Sequence, residues 1–158
     1  MMKPASAGCD LRCRYCFYWD EAGQRETASF GKMCPETLRD CLESVRKSAQ
    51  PGDTVTLAFQ GGEPTLAGPD FFRTVIDRTG QWPKNIRVQY TLQTNGLHLD
   101  EEWCAFLKKH SFLVGISYDL LPEYHDAARV DPAGNGTARR VETAIANLQK
   151  AGVSFNVL

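Results

Sequence analysis

Apolar residues recur at spacings of three and four behind Pro35, where Leu38, Cys41, Leu42 and Val45 share one face. That period belongs to a helix with one buried stripe, and proline suits its first turn. Residues 54–60 (TVTLAFQ) then form a β-rich run closed by Gly61-Gly62. The same alternation repeats down the chain. Phe71, Phe72, Val75 and Ile76 predict a second amphipathic helix, and residues 86–93 (IRVQYTLQ) a second strand ended by Asn95-Gly96. Asp100 is placed to cap a third helix carrying Trp103, Phe106 and Leu107, and residues 112–117 (FLVGIS) make a third strand. Thr137 opens a fourth helix with Val141, Ala144, Ile145 and Leu148, which Gly152 stops before a last strand over residues 153–158.

Strands separated by helices of this length predict βαβ units and a parallel sheet, an α/β fold. Such sheets carry their sites at the C-terminal ends of the strands. The polar motifs fall at those ends: QGGEP after the first full strand, QTNG after the second, and Ser117-Tyr-Asp119 after the third. Only eight residues precede Cys9, and the chain stops on a strand with no covering helix. The sheet is therefore expected to be incomplete at both ends.

Composition narrows the classes. Hydrophobic residues make up 42% of the 158 and charged residues 23%, enough for a packed core. A net charge of −1 gives no nucleic-acid footprint. The apolar runs are too short for a membrane span, and no apolar signal segment follows Met1, so a soluble cytoplasmic protein is expected.

Of six cysteines, three crowd into Cys9-Asp-Leu-Arg-Cys13-Arg-Tyr-Cys16, a C-x3-C-x2-C spacing. Disulfide frameworks belong to small secreted chains, so this cluster fits metal ligands better. Three thiolates are one short of the four that close an ordinary iron–sulfur cluster, and an open metal position is the logic of a catalytic site. A structural zinc site completed by Cys34 or a distant histidine is the alternative, though the chain lacks a second C-x2-C pair. Cys41 and Cys104 stand at core-like helix positions and read as buried small hydrophobes. His98, His110 and His125 show no carboxylate or cysteine pairing in sequence, and the first two read as surface residues.

C-x3-C-x2-C followed by Gly61-Gly-Glu-Pro64 resembles the radical S-adenosylmethionine (SAM) superfamily. Lys3-Pro-Ala-Ser, the loop through Cys16-Phe-Tyr18, Phe59-Gln-Gly-Gly-Glu-Pro-Thr65, Gln93-Thr-Asn-Gly96, Val114-Gly-Ile-Ser117 and His125-Asp together resemble the anaerobic sulfatase-maturating enzymes. These carry an additional C-terminal SPASM domain. The resemblance implies that residues 1–158 form an incomplete radical SAM core domain. Its architecture would be a partial (β/α)6 barrel truncated at both ends, with the SPASM domain absent.

The resemblance also implies a [4Fe–4S] cluster on Cys9, Cys13 and Cys16, with SAM chelating the open iron. Gly61, Gly62 and Glu63 would lie beside the SAM methionine moiety, glycine allowing close backbone approach. Ser117 and Arg129 match the pair that contacts the SAM carboxylate, a geometry guanidinium suits. Tyr15 is expected near the adenine. Gln60, Gln93 and Asn95 are expected to contact SAM, ribose or substrate peptide. The implied activity is oxidation of a Cys or Ser in a sulfatase to formylglycine, with a flavodoxin- or ferredoxin-type electron donor. Alternatives are another SPASM-type peptide modifier, such as a thioether former, or an inactive cluster-binding fragment. One departure stands out. After Asp119 the family continues Gly-Pro, whereas this chain reads Leu120-Leu121-Pro122. A missing glycine there puts the backbone angle beside Asp119 in question.

Overall fold

The computed structural model describes all of residues 1–158. Four parallel strands, β1 (Thr54–Phe59), β2 (Arg87–Thr94), β3 (Leu113–Ile116) and β4 (Ser154–Val157), lie side by side in chain order. The register pairs Phe59 with Leu92, Leu92 with Val114, and Val114 with Phe155. Six helices connect or precede them: α1 (Phe17–Gly23), α2 (Pro35–Ser48), α3 (Pro69–Thr79), α4 (Glu101–Lys109), α5 (Pro122–Ala128) and α6 (Ala138–Ala151). No helix is long and apolar enough to cross a membrane.

The expected boundaries hold with their expected causes. Asp100 caps α4 by accepting the Trp103 N–H at 2.8 Å. Gly152 ends α6 in the left-handed region at φ 67°. Helices α1 and α5 and the 3-10 turn Pro64–Ala67 escaped the sequence pattern. Each is under two or three turns long, too short to display a helical period.

Alternation along the strands divides the sheet into two unlike faces. Leu57, Phe59, Leu92, Val114 and Ile116 are buried under the helices, whereas Thr56, Gln60, Gln89 and Asn156 on the other face are exposed. Phe59, Phe72 and Phe112 are almost wholly enclosed and build an aromatic hub with Trp103. The ring of Phe72 stands 5.0 Å from that of Phe59 and 5.3 Å from that of Trp103. This hub anchors α3 and α4 to the strands and leaves the polar face free.

Met2 bridges Phe59 in parallel, with Met2 N–H donating to Ala58 O at 2.7 Å. This single bridge sets the start of the cysteine loop beside the end of β1. All six cysteines are free thiols.

Candidate functional site

The cysteine loop leaves the Met2 bridge and crosses the C-terminal ends of the strands. Its far side pairs with the segment after α5: Arg12 N–H donates to Val130 O at 2.7 Å, and Arg14 N–H to Ala128 O at 2.9 Å. Cys13 therefore stands opposite Arg129 by backbone register. Cys9 Sγ accepts the Leu11 N–H at 3.4 Å and faces Asn95 Nδ2 at 3.9 Å. Burial pushes the Cys9 thiol up to about 11 and raises Cys13 as well.

The QGGEP loop supports the cysteine loop from below. Gly62 adopts φ 58°, and a Cβ there would overlap the Gly8 carbonyl. The close approach that requires glycine is thus made by the protein's own backbone. Glu63 N–H then donates to Gly8 O at 2.7 Å. The Glu63 side chain is buried and points away from solvent. Its Oε1 accepts from Thr65 N–H at 2.9 Å, Thr65 Oγ1 at 2.6 Å and Thr94 Oγ1 at 2.8 Å. Its Oε2 accepts the Asn95 N–H at 2.8 Å. Burial pushes this carboxyl above its ordinary value, while the four donors favour its charged form. Glu63 thereby staples the loop after β1 to the loop after β2.

Asn95 links that staple back to the cysteines. Its Nδ2 donates to Asp10 Oδ1 at 2.7 Å, and its Oδ1 accepts the Leu97 N–H at 2.9 Å. Asp10 also meets His98, at 3.0 Å between Oδ2 and Nε2. This corrects the expectation that His98 lacks a carboxylate partner. The partners lie 88 positions apart in the chain, so only the fold could join them.

On the polar face, Gln93 Nε2 donates to Ser117 Oγ at 3.1 Å. It crosses above Gly115, where a Cβ would overlap the Gln93 carboxamide. Arg129, 14% exposed, donates from Nε to Asp119 Oδ2 at 2.8 Å. Against its own desolvation, that guanidinium holds Asp119 below the usual carboxylate range. Tyr15 lies under Arg129, 5.2 Å from ring centroid to guanidinium carbon, and its hydroxyl reaches both Asp119 oxygens at 3.2 Å. Desolvation and the neighbouring carboxylate push the phenol to about 12, so it stays a donor.

These parts enclose one cleft of about 350 Å³ at the strand ends. Cys9, Cys13, Cys16, Gln60, Gly61, Gly62, Glu63, Gln93, Asn95, Ser117 and Arg129 all line it, along with Tyr18. Tyr15 does not; it braces Asp119 and Arg129 from outside, 55% exposed. No three Cys, His, Asp or Glu side chains converge on one point as a single ion needs. All three thiols of the cysteine loop line the same cleft. Asp119 was singled out as a strand-end residue but without its Arg129 partner, and Thr65, Thr94 and Asp10 stood in the motifs with no role, because sequence does not show which side chains meet.

A profile of the radical SAM superfamily matches residues 4–158. Over its whole length the chain is 42% identical to a cysteine-type anaerobic sulfatase-maturating enzyme of Clostridium novyi (strain NT), covering 42% of that protein. It is 30% identical to a serine-type anaerobic sulfatase-maturating enzyme of Bacteroides thetaiotaomicron, covering 38% of it. Among solved structures, native anSMEcpe with bound AdoMet superposes with a TM-score of 0.90 at 41% identity, over 98% of this chain and 42% of that one. The same enzyme with bound AdoMet and a Cp18Cys peptide gives 0.88 at 40% identity, over 98% of this chain and 40% of that one. The chain thus spans about two fifths of the length of the relatives it matches.

Proposed function

Because the chain belongs to the radical SAM superfamily, we propose that its strand-end cleft holds a [4Fe–4S] cluster and SAM and serves oxidation of a sulfatase peptide. The residues present fit that pair of cofactors. Cys9, Cys13 and Cys16 supply three soft thiolate donors to one cavity, leaving one iron without a protein ligand. What the pair supplies when bound is one-electron cleavage of SAM to a 5′-deoxyadenosyl radical.

The chain's own residues do the holding. Arg129 has its Nε on Asp119 and lines the cleft beside the Cys13 thiol, with Ser117 in the same cleft, where its guanidinium would meet a carboxylate. The backbone of Gly61 and Gly62 forms the wall beside the thiols. Glu63 acts through its backbone, since its carboxylate is occupied by Thr65, Thr94 and Asn95. Gln60 and Gln93 present amides to ribose or peptide, whereas the Asn95 amide is taken up by Asp10 and the Leu97 N–H and acts by holding the loop. Tyr15 braces Arg129 and Asp119 from outside the cleft.

The substrate is proposed as a Cys or Ser side chain of a sulfatase, oxidised to formylglycine. Relatives bearing cysteine-type and serine-type names support that class. The electron donor is proposed as a small flavodoxin- or ferredoxin-type protein. The shared lining of one cleft by three thiols, Arg129 and Ser117 carries the proposal. To test it, the chain is purified without oxygen, its cluster rebuilt, and SAM added with dithionite and a cysteine-containing sulfatase peptide. Formation of 5′-deoxyadenosine with aldehyde in the peptide is expected. Iron-loaded protein that yields neither sinks the proposal.

A further inference from the structure

His125 takes no part in the cleft, yet it is buried as deeply as any core residue, at 0% exposure. A buried imidazole needs a partner on each ring nitrogen to replace lost water. Both partners exist. Nε2 lies 3.0 Å from Thr137 Oγ1, and Nδ1 lies 3.5 Å from the Asp119 amide. The far end of this chain of bonds sets its direction. The Arg129 carbonyl can only accept, so the Thr137 hydroxyl donates to it at 3.0 Å. A hydroxyl that has donated its proton must accept from the ring. The ring proton therefore sits on Nε2, and Nδ1 turns its lone pair to the Asp119 N–H.

We infer that His125 is a positioning residue, which fixes the backbone at Asp119 and at Arg129 and so aims the guanidinium into the cleft. This rests on the proposed role of Arg129 toward a SAM carboxylate. Three further observations agree. His125 O accepts the Arg129 N–H at 2.6 Å, so ring and backbone of one residue both hold Arg129. Asp126 Oδ1 accepts the Ala138 N–H at 2.7 Å and fills the space where a Cβ on Gly136 would stand. The pair His125-Asp126 thus ties α5 to the segment that opens α6. Finally, Leu120 is held at φ 59°, a strained angle that persists only where its surroundings over-determine it. The His125 bond to the preceding amide is one of those constraints.

Thr137 gives the cleanest test, because its side chain makes no cap bond to α6. Thr137→Val removes the hydroxyl and keeps the shape, whereas Thr137→Ser retains the relay. The dissociation constant for SAM is measured by titration calorimetry on cluster-reconstituted protein, with melting temperatures alongside. Thr137→Val is expected to weaken binding about tenfold, and Thr137→Ser to stay within about twofold of the unsubstituted protein. Long-range 1H–15N spectra of the chain are expected to place the His125 proton on Nε2. Equal affinity in all three proteins overturns the inference and leaves the proposed cleft standing. So does a ring protonated on Nδ1. Affinity that falls only in step with melting temperature in both variants assigns a purely structural role and overturns it too. If the unsubstituted protein binds no SAM, the cleft assignment fails and takes this inference with it.

Discussion

Glu63 shows how far a single side chain can organise this site. Both its oxygens accept from buried donors on two different loops. Glu63→Gln replaces one oxygen by an amide that must face a donor. A loss of about 2 kcal/mol is expected, read as a lower urea midpoint. Cys13→Ala acts on a different property. With two thiolates left, the cluster is not held, and iron and sulfide in anaerobically reconstituted protein should fall to background. Wild-type iron content in that variant would refute the ligand assignment. The cysteines were legible in sequence because their spacing is local. Glu63 was legible as a motif member but not as a staple, since Thr94 and Asn95 stand 31 and 32 positions away.

At the scale of elements, the turn between β3 and α5 holds one of three non-glycine residues in the left-handed region, beside Ser6 and Ser111. Leu120 sits in the left-handed region while 73% exposed, so its side chain gains little from packing. The doubt raised by its sequence is thereby resolved: the fold keeps the angle that glycine would adopt freely. Leu120→Gly is expected to stabilise the protein by up to about 1 kcal/mol, measured by chemical denaturation. Helix α5 adds a pH dependence. Burial, then the Arg129 charge, lowers the His125 pKa below its ordinary 6.5, against Asp119, Asp126 and Glu142. As pH falls through 6.5, the unfolded chain takes up a proton that the folded ring refuses. Stability therefore drops on acidification through about pH 6.5 and levels off below the folded pKa. Between about pH 7.5 and about pH 5.5 the wild type should lose more stability than His125→Gln, the contributions of His98 and His110 being common to both. The angle at Leu120 was signalled by the missing glycine, but the burial and partners of His125 were not readable, because α5 is too short to announce itself by periodicity.

For the molecule as a whole, the division of the sheet into two faces decides where chemistry can occur. Phe59 is 0% exposed and touches Phe71, Phe72 and Phe112 on the helix side. Its neighbour Gln60 turns to the cleft. Phe59→Ala opens a cavity at the hub and should cost about 4 kcal/mol in global unfolding, seen by circular dichroism in urea. Site geometry should suffer with it, since β1 carries the QGGEP loop.

The amino-acid order alone determined the alternation of strands and helices, the caps at Asp100 and Gly152, and the three clustered thiols. These features depend on neighbours within a few positions, where period and turn chemistry act directly. Only the tertiary structure decided that Cys13 faces Arg129, that Asp10 holds His98, and that Tyr15 braces the cleft from outside. Those pairings join residues dozens of positions apart. They exist because parallel strands bring successive loops to one end of the sheet, where hydrogen-bond direction and burial select the partners.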